Sequence, residues 1–175
     1  MPRYIRAFVP GGTFFFTVAI LQRDRSLLTE HIGPLRTAFR EVRSRKPFSI
    51  DAIVVLPDHL HCLWTPPSGD ADFSSRWHDI KANFARSIPP GERLSNRRRS
   101  KGERGVWQRR FWEHAIRDER DFERHTGYIH FNPVKHGHVR CAAQWPHSSF
   151  HRYVRQGLYD ADWGAADEVR VLEFE

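Results

Sequence analysis

The chain has 175 residues, with 28 Lys and Arg against 21 Asp and Glu, for a formal charge of +7. That length suits one domain able to bury its own core, and 13% aromatic residues exclude a disordered chain. No apolar run approaches the roughly 20 residues of a membrane span, and the two cysteines, Cys62 and Cys141, exclude a disulfide framework or a four-cysteine zinc site. The opening MPRYIRAFVPGG lacks the apolar run of a signal peptide, so the expectation is a cytoplasmic protein, and the positive charge suggests a polyanionic partner.

Thr13–Ile20 (TFFFTVAI), opened by Gly11 and Gly12, is β-branched and aromatic and reads as a buried strand. Thr29 stands as an N-cap, and Ile32, Leu35, Phe39 and Val42 recur at helical spacing to about Arg45. Ser49–Leu56 is a second strand, Pro57-Asp58 a turn, and His59–Thr65 a third strand running back. After Pro66-Pro67-Ser68-Gly69, Asp72 or Ser74 caps a helix whose stripe is Phe73, Trp77, Ile80, Phe84 and Ile88. Pro89-Pro90-Gly91 closes it, and the basic loop RLSNRRRSK (Arg93–Lys101) follows. Val106–Arg117 reads as a fourth strand or a hairpin, and Asp118 caps a helix through about Phe131 that Pro133 ends near Asn132. The order is α+β, with helices covering one face of an antiparallel sheet. One domain over 1–159 precedes an acidic tail, 160–175.

The charge is local. Arg97, Arg98, Arg99, Arg109 and Arg110 crowd the middle third, while Asp160, Asp162, Asp167 and Glu168 mark the tail. Such a run is either a solvated loop or a phosphate-binding surface. The interleaved Trp107, Phe111 and Trp112 favour the second, because cations alternating with rings hold single-stranded nucleic acid.

His59-Leu60-His61 is the most informative triplet. On a strand the two imidazoles share a face about 6.6 Å apart, with Leu60, Cys62 and Trp64 on the other. Two convergent imidazoles suit a divalent cation; two unrelated histidines are the alternative. The second cluster is GYIHFNPVKHG, Gly127–Gly137. Tyr128 and Asn132, at i and i+4, share a helix face. Tyrosine supplies a phenolic nucleophile and asparagine a carbonyl oxygen able to join a metal shell. Equally, Tyr128 is an interfacial ring and Asn132 a cap before Pro133. His130, His136 and His138 are set aside as structural or DNA-facing residues.

PDHLHCLW combined with YIHFNPVKHG resembles the REP-associated tyrosine transposases, single-strand transposases of the HUH endonuclease superfamily. PGGTFFFTV, VVLPDHLHCLW, DADFSSRWHDIK, GVWQRRFWEHAIRDE and WPHSSFHRYV extend the resemblance along nearly the whole chain. It implies a ferredoxin-like sheet, His59 and His61 as a metal pair with Asn132 as third ligand, Mg²⁺ or Mn²⁺ as cofactor, and Tyr128 as nucleophile. It also implies a hairpin with a single-stranded flank as the DNA partner. The expected activity is nicking and rejoining through a 5′-phosphotyrosine, with no nucleotide cofactor and no membrane, as a monomer or homodimer. Arg109, Arg110 and Trp112 are the leading DNA contacts, Arg97, Arg98 and Arg99 clamp the backbone, and Arg76 and Lys81 reach the hairpin stem. Arg3, Tyr4 and Arg6 form an arm that reads the flank. The competing readings are a DNA-binding repressor without catalysis, and a ferredoxin-like module whose sheet stacks bases.

Overall fold

The computed structural model describes residues 8–165; Arg3, Tyr4, Arg6 and positions 166–175 lie outside the described residues. Four strands, β1 (Phe14–Ala19), β2 (Ser49–Val55), β3 (His59–Thr65) and β4 (Trp112–Ala115), form one sheet in the order β2-β3-β1-β4. All neighbours are antiparallel. β3 therefore sits between β1 and β2, which is the split arrangement of a ferredoxin-like fold.

The helices are α1 (Leu27–Glu30), α2 (Ile32–Arg45), α3 (Phe73–Ser87), α4 (Asn96–Ser100), α5 (Glu119–Lys135) and α6 (Phe150–Arg155). They cover both faces of the sheet, not one. Phe14, Phe16, Leu60, Cys62 and Trp64 point to the α2–α3 side and join Phe39, Val42, Trp77 and Phe84 in the larger core. Phe15, Val54 and Leu63 point to the other side and pack on Ile129 of α5. Alternation along each strand divides the apolar residues between the two layers. β3 is buried along six of its seven residues because it is covered from both sides.

Three further sequence expectations change. Thr29 is not a cap: its hydroxyl donates to the Ser26 carbonyl inside α1, and a break at His31 separates α1 from α2. Pro34 forces that break, since it has no N–H for the Glu30 carbonyl of a continuous helix. Of the fourth-strand segment, Trp112–Ala115 forms the regular strand, and Trp107 adds one isolated antiparallel bridge to Ile20 just past β1. The Trp107 side chain turns inward, its indole N–H donating to the Lys81 carbonyl and its ring packing on Phe84. Finally, α5 runs through Pro133 to Lys135 and closes at Gly137, whose φ of 73° suits a residue without a Cβ. Asn132 is thus helical and keeps its place one turn beyond Tyr128. Asp72 and Asp118 cap α3 and α5 as expected, each accepting a backbone N–H three residues on.

Beneath α5 and α6, His130 is completely buried and pairs with the Ser149 hydroxyl at 2.8 Å. Tyr159 and Trp163 stack in the same aromatic group at 4.4 Å. Burial pushes the His130 imidazole down to about 3. Between that value and the ordinary 6.5, the unfolded chain binds a proton that the folded chain does not. The stabilisation is complete above pH 6.5 and is lost as pH falls toward 3. Thermal melts from pH 7 to 4 should show a steep fall in Tm, and His130→Gln should flatten that slope. An unchanged slope would show that the imidazole is not held neutral by burial.

Candidate active site

His59 and His61 lie on the α5 side of the sheet, 5% and 4% exposed. Each is oriented through Nδ1. His59 Nδ1 stands 2.7 Å from Asp58 Oδ1, and Arg23 grips the same carboxylate. Burial would raise the Asp58 pKa, but the His59 and Arg23 hydrogen bonds outweigh it and hold the carboxyl low. His61 Nδ1 stands 2.8 Å from the hydroxyl of Thr17, its cross-strand partner. Both rings therefore keep Nε2 for a ligand, with Nδ1 engaged in the manner of metal-binding histidines. The rings are 4.9 Å apart and nearly perpendicular. Burial pushes both imidazoles below their ordinary range. For His61 the proximity of Lys135, and of His59 and His136 should they take up a proton, adds to that effect. Both are neutral near pH 7, the form that donates a lone pair to a metal.

Tyr128, half-buried on α5, places its ring edge-on to His61 at 5.2 Å and to Phe15 at 5.9 Å. Lys135 Nζ lies over the same ring at 4.8 Å. Asn132, one turn on, is fully buried, and neither its Oδ1 nor its Nδ2 has a hydrogen-bond partner. His61 Nε2 is likewise buried and unpartnered. Such atoms cost about 1–3 kcal/mol each when left unpaired. His61 Nε2 and Asn132 Oδ1 are the kind of nitrogen and oxygen donors that a divalent cation engages.

A second group of metal-competent side chains, His114, Asp121 and His125, stands beside Tyr128. Its members already satisfy one another. His114 Nε2 and the Arg117 backbone N–H both donate to Asp121 Oδ2, at 2.8 and 3.0 Å. His125 Nδ1 donates to the Asp121 carbonyl at 2.8 Å. Burial would raise the Asp121 pKa, but these donors bring it down to about 2. The group is thus a hydrogen-bonded hub, whereas His61 Nε2 and Asn132 Oδ1 have no such partner.

No family model matches the chain. It is 47% identical to a REP-associated tyrosine transposase of Escherichia coli, over 93% of this chain and 91% of that protein. The chain belongs to the REP-associated tyrosine transposases. A Haemophilus influenzae relative under the same family name is 42% identical over 98% of both chains. A solved structure of a REP-associated tyrosine transposase bound to a REP hairpin superposes with a TM-score of 0.80. That match has 47% identity and covers 93% of this chain and 91% of that one.

The cations of this transposase divide between surface and interior. Arg97 and Arg99 on α4, together with Arg109 and Arg110, are exposed. Arg98 leans toward Glu103 at 3.6 Å, and Arg109 also pairs with Glu103. Trp112 is half exposed at the sheet edge, whereas Trp107 is buried and Phe111 packs on the larger core. Arg76 is not a DNA contact. It is 2% exposed, and its guanidinium is used by Asp70 and by the carbonyls of Lys46, Pro47 and Asp72. It staples the start of α3 to the loop before β2. Lys81 likewise turns inward, donating to the Gln108 carbonyl at 2.9 Å over the Trp107 and Phe111 rings.

Sequence reasoning missed the partners that orient the histidines, Asp58 and Thr17. The cross-strand pairing of Thr17 is invisible until the register of β1 on β3 is known, although Asp58 stood beside His59 in the turn. It also missed a basic recess at the other edge of the sheet. There Arg36, Arg40 and Arg43 of α2 meet Arg152 and Arg155 of α6; the spacing of the first three on one helix face was the available signal. Thr17→Val should remove the bond that orients His61 and weaken Mn²⁺ binding about 10- to 100-fold, measured by titration of the isolated protein. An unaltered affinity would show that this hydroxyl does not support the ligand.

Proposed function

We propose that this transposase cleaves and rejoins single-stranded DNA at the foot of a palindromic hairpin, with Tyr128 as nucleophile and His59, His61 and Asn132 as metal ligands. The observation that carries the reading is the contact between Tyr128 and His61. A phenol from late in the chain stands against the buried, neutral imidazole of a pair set up 67 positions earlier. A Mg²⁺ or Mn²⁺ ion bound by these ligands would neutralise charge on the scissile phosphate.

The chain's own residues supply the rest. The Tyr128 oxygen attacks phosphorus, a P–O bond to tyrosine forms, and the bond to the 3′ oxygen breaks. The phenolic proton is released and the departing oxygen leaves as a 3′ hydroxyl. One phosphodiester replaces another, so a second 3′ hydroxyl can reverse the step and transfer the strand without ATP. Asp58 at His59 Nδ1 and Thr17 at His61 Nδ1 fix the ring orientations and would leave each Nε2 to the ion. Lys135, whose ammonium lies over the face of the Tyr128 ring at 4.8 Å, holds that ring in place by a cation–π contact.

A hairpin with a single-stranded flank is the substrate this arrangement suits. The relative of known structure binds a REP hairpin, and the exposed Arg97, Arg99, Arg109 and Arg110 supply phosphate contacts on the side of the sheet edge where Trp112 lies. Incubation with a REP-hairpin oligonucleotide and Mn²⁺ should yield a covalent protein–DNA adduct that withstands denaturation. Tyr128→Phe should abolish the adduct while leaving hairpin binding within about twofold. His61→Ala should lower nicking by at least 100-fold, and a chelator should stop it in the unaltered protein. An adduct formed by the phenylalanine variant would overturn the nucleophile, and full activity in chelator would overturn the metal role.

A further inference from the structure

A recess of about 420 Å³ opens on the flank of Tyr128. Phe15, Trp112, His114, Arg117 and His125 are among its lining residues, with Asp121 at its base. Three of its rings run nearly parallel. Trp112 and His114 are 6.0 Å apart with 6° between planes, and His114 and His125 are 4.7 Å apart with 17°. Trp112 is 50% exposed. It is the one large aromatic lining this recess that is so exposed. The Asp121 hydrogen bonds fix both imidazoles, so the ladder is preorganised. The Arg117 side chain is 74% exposed at its edge.

We infer that this recess is a subsite for one unpaired nucleotide flanking the scissile phosphate, its base lying along the Trp112–His114 ladder and its phosphate at Arg117. The inference rests on the nuclease reading for the identity of the polymer, and on the recess itself for the rest. Its volume is within the range for a nucleotide-sized ligand. Parallel rings beside a guanidinium match the two chemistries of a nucleotide, a flat π-face and an anion. A base within a duplex is stacked on both neighbours and cannot enter, so the subsite selects single-stranded DNA at the point of cleavage. Tyr128 forms one wall of the recess and also touches His61. A strand whose phosphate lies at the tyrosine therefore delivers an adjoining base to the recess.

The probe is a REP-hairpin oligonucleotide with single-stranded flanks through which one abasic residue is walked. Dissociation constants are measured for the Tyr128→Phe protein and for the same protein carrying Trp112→Ala or Trp112→Phe. At one flanking position, removing the base should weaken binding roughly 5- to 100-fold. Trp112→Ala should produce the same loss on the intact oligonucleotide and no further loss on the abasic one, while Trp112→Phe should restore most of the affinity. Binding that ignores the abasic residue everywhere, or losses that simply multiply with Trp112→Ala, would overturn the subsite. Adduct formation is scored separately on the same oligonucleotides with Tyr128 present. Its absence alongside the expected binding pattern would overturn the nuclease reading and leave the subsite standing. No binding at all would overturn both.

Discussion

The site depends on β3 being covered on both faces while its side chains alternate between them. Leu60, Cys62 and Trp64 are drawn into the layer beneath α2 and α3. Their burial turns His59 and His61 toward α5, where no apolar neighbour can satisfy their ring nitrogens. A slip of one residue against β1 would exchange the two sets and place imidazoles in the larger core. The register that pairs Thr17 with His61 and Ala19 with His59 is therefore both a packing solution and the device that orients the two imidazoles. Desolvation then disfavours their protonation, at the expense of acid stability.

The opposite wall follows from α5. Asp118 starts it and Gly137 ends it, and Ile129 anchors it to Phe15, Val54 and Leu63. Continuation through Pro133 is what holds Tyr128 and Asn132 on one face. Proline cannot donate to the Ile129 carbonyl, but the backbone N–H groups of His136 and His138 still donate to the carbonyls of Asn132 and Pro133 at 3.0 and 2.9 Å. The last turn is thereby retained. Packing against the sheet outweighs the local preference to stop.

Positive charge serves two purposes in this protein. One set of arginines, Arg97, Arg99, Arg109 and Arg110 at one edge of the sheet and Arg36, Arg40 and Arg155 at the other, faces solvent, whereas Arg152 donates to the Ile50 and Asp51 carbonyls. Another set is structural: Arg76 ties α3 to neighbouring loops, and Arg104 binds Glu92 and the carbonyls that end α3. Net charge counts both sets alike, so only burial separates a cation that recognises a ligand from one that closes a loop.

From the residues alone the element order, the shared face of His59 and His61, and the helical pairing of Tyr128 with Asn132 could be read. Each follows from a local period, two on a strand and 3.6 on a helix, and the family resemblance rested on the same motifs. Local periodicity carries no information on what a distant segment places opposite. That Thr17 holds His61, that Tyr128 meets that imidazole, that Arg76 and Lys81 turn inward, and that Trp112, His114 and His125 line up beside the phenol were decided by tertiary structure. Strand register and helix docking bring together residues 44 to 67 positions apart, and burial there sets which groups stay neutral, which are satisfied, and which remain for a ligand.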